Sequence, residues 1–155
     1  MYDVQQIVRF FLSMDDMTPK KLQKLLYYAY SWFLVFENEK VIDNPAPIRL
    51  FNERIEAWVH GPVVPKIYHQ FKDRGANNIP KDESFVPDEA GFTAETLEIL
   101  FQVWDVYGKY NGNQLESISH QEEPWKEARG DRSPIAICNN IINDETIFET
   151  YGSRL

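Results

Sequence analysis

Thr18–Phe36, TPKKLQKLLYYAYSWFLVF, is the longest stretch of this chain in which every local signal agrees. Leu22, Leu25, Leu26, Ala29, Trp32, Phe33 and Phe36 recur at three- and four-residue steps, the spacing that sets side chains on one face of an α-helix. Thr18 offers a hydroxyl to an unpaired N–H of the first turn, and Pro19 at the first helical position loses nothing, because its missing N–H would have had no partner. Tyr27, Tyr28, Tyr30, Leu34 and Val35 spread apolar surface around much of the remaining circumference. A helix covered on several sides, at the centre of the fold, is the expectation.

On the N-terminal side, Asp3 followed by Gln6 has the form of a capping box, and Val4, Ile7, Val8, Phe11 and Leu12 keep helical spacing for a short first helix. On the C-terminal side, Glu37–Pro47 is dense in Asn, Asp and Pro and reads as an exposed connection. Alternation of Ile55, Ala57 and Val59 with Glu56 and Trp58 predicts a strand over 54–59, with Ile48–Phe51 as its hairpin partner. Gly61 closes that strand, and Pro62 opens a helix that runs to Arg74. Asn77–Gly91, rich in Pro, Asp, Glu and Asn, is expected to be mobile, and Thr93 then caps a helix whose face is Leu97, Leu100, Phe101, Trp104 and Tyr107. Short helical pieces follow at 114–119, at a turn begun by Pro124, at 134–142 capped by Ser133, and at 145–151. The chain is thus expected to be mainly α, a single compact helical domain over 1–155 with a small β-hairpin or short strand element.

A chain of 155 residues buries roughly 68 to 70% of its unfolded surface, enough for a core without staples. Sixteen basic against twenty-four acidic residues give a net charge of −8, which repels phosphate backbones and anionic membranes. Lys20, Lys21 and Lys24 form the one candidate basic patch, and a solvated stripe on the central helix is its simplest reading. The lone Cys138 closes no loop within the chain, which fits a reducing, cytoplasmic setting. The first residues lack the pattern of a signal peptide, and no run of about eighteen apolar residues exists to span a membrane.

Chemistry-bearing constellations are sparse. His60, His69 and His120 are not at a spacing that aims two imidazoles at one metal, and no glycine-rich loop is present to cradle a phosphate. No cofactor or metal is expected. His120 with Glu122 and Glu123 is the most enzyme-like cluster, because a carboxylate beside an imidazole fixes its tautomer and raises its basicity. No nucleophile accompanies it, and the simpler reading is a half-buried histidine at the turn where Pro124 and Trp125 begin the next helix. Glu56, on an alternating strand, is expected to reach the lysines or tyrosines of the central helix.

Several of these blocks occur together in one order: Lys21-Leu22-Gln23-Lys24-Leu25-Leu26-Tyr27-Tyr28 with Trp32, Leu50-Phe51, Ile55-Glu56-Ala57-Trp58, Gly61-Pro62-Val63-Val64-Pro65 with Tyr68, then Leu115, Ser119-His120, Glu123-Pro124-Trp125 and Ala128-Arg129. The set resembles the Panacea-domain family, which includes SocA-like antitoxins and phage-associated GepA-like proteins. That resemblance implies a prokaryotic, phage-borne or prophage protein of the cytoplasm that binds and neutralises a toxin encoded beside it. For a SocA-like member it further implies an adaptor that delivers the toxin to the ClpXP protease. It assigns Glu56, Gly61, Pro62, His120 and Trp125 to the family's structural motifs and supplies no catalytic residue.

A protein-binding antitoxin is therefore the leading reading. Its competitors are a hydrolase built on His120, Glu123 and Glu56, and a DNA-binding regulator of its own operon that docks through Lys20, Lys21 and Lys24. Aromatic residues exceed what one helical face can bury, so the partner surface is expected where Tyr27, Tyr28, Trp58 and Tyr68 converge, with Lys20 and Lys24 along its rim.

Overall fold

A computed structural model describes residues 1–155. In order the elements are α1 (Val4–Met14), α2 (Pro19–Glu37), β1 (Glu56–Trp58), β2 (Gly61–Val63), α3 (Pro65–Phe71), α4 (Ala94–Tyr107), α5 (Gly112–His120), α6 (Glu123–Arg129) and α7 (Asp144–Gly152). Short 3-10 turns at Lys72–Arg74 and Pro87–Glu89 complete the list of regular elements. The helix starts are set by local chemistry. The Asp3 carboxylate and the Gln6 amide cap α1 reciprocally, Thr18 accepts from the Lys21 N–H with Pro19 in the first turn of α2, and Thr93 accepts from the Thr96 N–H of α4.

Helix α2 lies in the middle and packs against α1, α3, α4, α5, α7 and β2. Thirteen of its nineteen residues are buried, including Gln23, Lys24 and Ser31, so its polar side chains face neighbours rather than water. A single cluster of 34 buried apolar residues draws on all seven helices, giving one compact, mainly α domain. Phe36, placed by its spacing on the core face, is instead 47% exposed and stacks on Trp32, with ring centroids 5.8 Å apart.

The β element differs from expectation. Strand β1 pairs antiparallel with β2, Glu56 opposite Val63 and Trp58 opposite Gly61, so Gly61 and Pro62 belong to a strand and α3 begins only at Pro65. Ala57 stands opposite Pro62 while its N–H donates to Asn140 and its carbonyl accepts from Arg129. Proline therefore occupies a pair that needs no N–H. Leu50–Phe51 is claimed by the N-terminus, where the Tyr2 N–H donates to the Leu50 carbonyl at 2.8 Å, and it does not join β1.

One more expectation is corrected. Residues 134–142 are not helical, because the buried Arg129 guanidinium takes the Ser133 and Ala136 carbonyls at 2.9 and 2.7 Å while Ile142 donates to Ile55 along the outer edge of β1. A side chain and a strand thus hold backbone groups that a helix would need. Residues 77–91, expected to be mobile, are hydrogen-bonded to α1 and to the link that follows it. Met17 and Ile79 exchange backbone hydrogen bonds, Asp82 donates through its N–H to the Leu12 carbonyl, and Arg9 pairs with Asp82 at 2.8 Å.

Leu26 is fully buried near the middle of α2. Leu26→Ala is predicted to cost about 2 to 5 kcal/mol in urea denaturation. A loss below about 1 kcal/mol would take Leu26 out of the core.

Candidate functional site

Gln23 and Lys24, neighbours on α2, point at the Gly61–Val64 backbone. The Gln23 amide meets both backbone groups of Val64, accepting from its N–H at 2.8 Å and donating to its carbonyl at 3.1 Å, a carbonyl that also accepts the Ile67 and Tyr68 N–H groups at the start of α3. Lys24 Nζ donates to the Pro62 carbonyl at 3.0 Å with the side chain 1% exposed. Gly61 is required at this contact: its φ is +104°, and a Cβ would lie 2.9 Å from Lys24 Cε. Burial drives the Lys24 ammonium down to about 7, an effect that the negative charge of Glu116 only partly offsets. Burial works to raise the Glu116 carboxyl, but hydrogen bonds from Lys20 and His60 outweigh it and hold the group below the usual glutamate value. Lys20 lies 2.8 Å and His60 3.2 Å from Glu116.

With β2 pinned to α2, the β-ribbon, α3, the start of α2 and residues 137–139 enclose an open groove of about 710 Å3. Trp58 and Tyr68 meet edge to face on its wall, with ring centroids 4.9 Å apart. Tyr68 is 43% exposed, and Ile137, presented by the loop that Arg129 holds, is 91% exposed. Lys20, Lys24, Trp58 and Tyr68 of the expected partner surface all line this groove, as does Glu56. Glu56 does not reach α2; its carboxylate accepts the Trp58 indole N–H at 2.9 Å and steadies the ring. The lysines are not a solvated stripe, since Lys24 is buried and Lys21 donates to the Gly108 carbonyl.

Tyr27 and Tyr28 are corrected out of this surface. Both are buried, at 1% and 0% exposure, on a different side of α2. Tyr28 donates to Glu122 at 2.6 Å and stacks on Tyr107 at 4.0 Å, Tyr27 and Tyr151 hydroxyls meet at 2.7 Å, and Tyr151 also donates to Glu122. Arg154 closes the network on the second Glu122 oxygen at 2.6 Å. Burial first, and then the negative charge of Glu122, raise the Tyr28 phenol, so these hydroxyls remain neutral donors.

His120 and Trp125 stack with centroids 3.9 Å apart, and the Trp125 indole donates to the Trp58 carbonyl at 2.9 Å, tying α6 to β1. Burial lowers the His120 pKa, so the imidazole is neutral at pH 7. Glu122 is committed to the tyrosines and Arg154, while Glu123 is exposed and makes no side-chain hydrogen bond or ion pair, so neither completes a catalytic pair with His120. No group of three or more His, Cys, Asp or Glu side chains is placed to hold a metal ion. Gln23, Lys72, Ile137 and the buried Cys138 line the groove without having been anticipated there. Gln23 alone had a signal, an amide among the apolar positions of the central helix.

Residues 22–126 match the family described as antitoxin SocA-like, Panacea domain, leaving α1 and α7 outside the matched span. Antitoxin SocA of Caulobacter vibrioides (strain NA1000 / CB15N) is 30% identical over 142 residues, covering 83% of this chain and 71% of that protein. No solved structure matches. No helix is long and apolar enough to cross a membrane.

The lowered pKa of Lys24 makes a signed prediction. Unfolding returns the lysine to its ordinary value near 10.5, so between pH 7 and 9.5 the unfolded chain holds a proton that the folded chain has released, and stability rises with pH. The expected slope from this group is at most about 1.4 kcal/mol per pH unit. Urea denaturation of the wild type and Lys24→Met at pH 7, 8 and 9 should show the rise in the wild type alone; parallel curves would contradict the buried ammonium.

Proposed function

The chain belongs to the SocA-like antitoxin family that carries the Panacea domain, and we propose that it neutralises a toxin encoded beside it by direct protein contact in the cytoplasm, without catalysis. The observation that carries this reading is the open groove in which Trp58 and Tyr68 stand half-exposed over a backbone pinned to the central helix. Aromatic anchors on a rigid frame within a polar border are what binding hot spots use, because their ordering cost on association is small. An aromatic side chain left open in this way has no role in the core, which α2 already fills with other rings.

The competing chemistry lacks support in the geometry. His120 stacks on Trp125 and, although the Glu116 charge reaches it, its side chain makes no hydrogen bond to a carboxylate, and no arrangement of nucleophile, base and orienting group surrounds it. A three-lysine docking face for DNA does not form, since Lys24 is buried and Lys20 is paired with Glu116. Delivery of the bound toxin to ClpXP is a further step that the family resemblance carries, and contact in the groove precedes it.

The test is growth rescue on co-expression with the product of the adjacent reading frame. Trp58→Ala and Tyr68→Ala, each first checked for an unchanged melting temperature, should lose rescue, whereas His120→Gln should retain it. Full rescue by both aromatic variants would move the interface elsewhere. Repeating the assay in cells without ClpX separates the two modes: occlusion keeps the rescue and obligatory delivery loses it.

A further inference from the structure

Resting on the reading that this chain binds a toxin, we infer that the groove takes an apolar segment of that toxin bearing one or more carboxylates, recognised by side chains and not by strand addition. Both edges of the β-ribbon are already occupied. Asn140–Ile142 bonds to the outer edge of β1 through Ala57 and Ile55, and the Gln23 and Lys24 side chains take the α2 side of Pro62 and Val64. An incoming strand finds no free ladder there, so affinity has to come from what projects into the groove.

What projects is apolar and held. Trp58 is oriented by Glu56, Tyr68 packs on it, and Ile137 sits on a loop whose carbonyls are gripped by Arg129. At about 710 Å3 the groove has room for several side chains of a partner segment. The local charge runs against that of the whole molecule. The chain carries a net charge of −8, yet Lys20 and Lys72 line the groove, beside a buried Lys24 that is spent on the Pro62 carbonyl, against the single carboxylate of Glu56, which already accepts the indole N–H. Lys20 is partly neutralised by Glu116, but Lys72 is exposed and its ammonium has no ion pair or side-chain hydrogen bond. A free cation beside open aromatic surface, in an otherwise acidic protein, selects a carboxylate on the partner and turns basic segments away.

The complex of the full chain with the product of the adjacent reading frame supplies the test, with a benzoylphenylalanine photo-crosslinker at position 68 or 137. The captured toxin peptide should combine apolar residues with Asp or Glu. Lys72→Glu should weaken binding at least tenfold, and changing the captured acidic residue to Lys should restore binding to that variant. A captured peptide with Lys or Arg in place of carboxylates, or a Lys72→Glu variant that binds as tightly as the wild type, overturns the inference. A complex that copurifies without adducts at either position also overturns it while leaving the antitoxin reading intact. Failure of the two proteins to associate removes both.

Discussion

The backbone of Gly61–Val64 has no strand on its α2 side, and the side chains of Gln23 and Lys24 take the place of one. A buried peptide group without a partner costs about 1 to 3 kcal/mol, so the Val64 N–H and the Pro62 carbonyl left unpaired would open the ribbon away from the helix. Two consecutive polar residues on a buried helix face satisfy both, and Gln23 adds a bond to the Val64 carbonyl, which the first N–H groups of α3 already engage. The arrangement demands a glycine at 61, because the lysine stem fills the space that a Cβ would need. It also demands that a lysine be buried at a cost in proton affinity, which sets the ammonium near neutrality. The groove exists because this contact fixes β2, and through β2 the positions of β1 and α3.

The same device recurs around the central helix. Glu122 gathers the hydroxyls of Tyr28 and Tyr151 and the Arg154 guanidinium, and Asp144 accepts from Tyr30 at 2.7 Å while pairing with Arg49 at 2.9 Å. Arg129 reaches Ala57, Ser133 and Ala136 carbonyls and lies over the Trp125 ring. Each is a buried polar group with its partners present, the condition under which such groups specify one arrangement instead of weakening it. The tyrosines of α2 thus serve the fold, and the surface aromatics Trp58 and Tyr68 are left for a partner.

Local signals were the legible ones. Thr18 with Pro19, Asp3 with Gln6, and Thr93 announce their helices through neighbours a few residues away, and the family resemblance of the GPVVP and EPW blocks was readable from their order. What depends on distant partners was not. Gln23 meets Val64 across 41 residues and Tyr28 meets Glu122 across 94, so nothing near Gln23 announced its partner and a buried phenol looked like a candidate for a binding surface. The Pro134–Ile142 segment has apolar residues at spacings a helix would accept, and only the remote Arg129 guanidinium and the edge of β1 decide otherwise. The groove was half legible: Trp58, Tyr68 and Lys20 carry the amphipathic character of surface anchors, while Lys72 and Ile137 join them only through folding.

The most direct measurement of the latch is amide hydrogen exchange at Val64 in Gln23→Ala against the wild type, with the Leu26 amide in the middle of α2 as internal reference. The account predicts that Val64 protection falls at least tenfold more than that of Leu26, because the variant removes its acceptor and frees β2 to open locally. If Val64 and Leu26 lose protection in step, or Val64 keeps its full protection, the Gln23 amide does not hold the strand and the groove must owe its shape to something else.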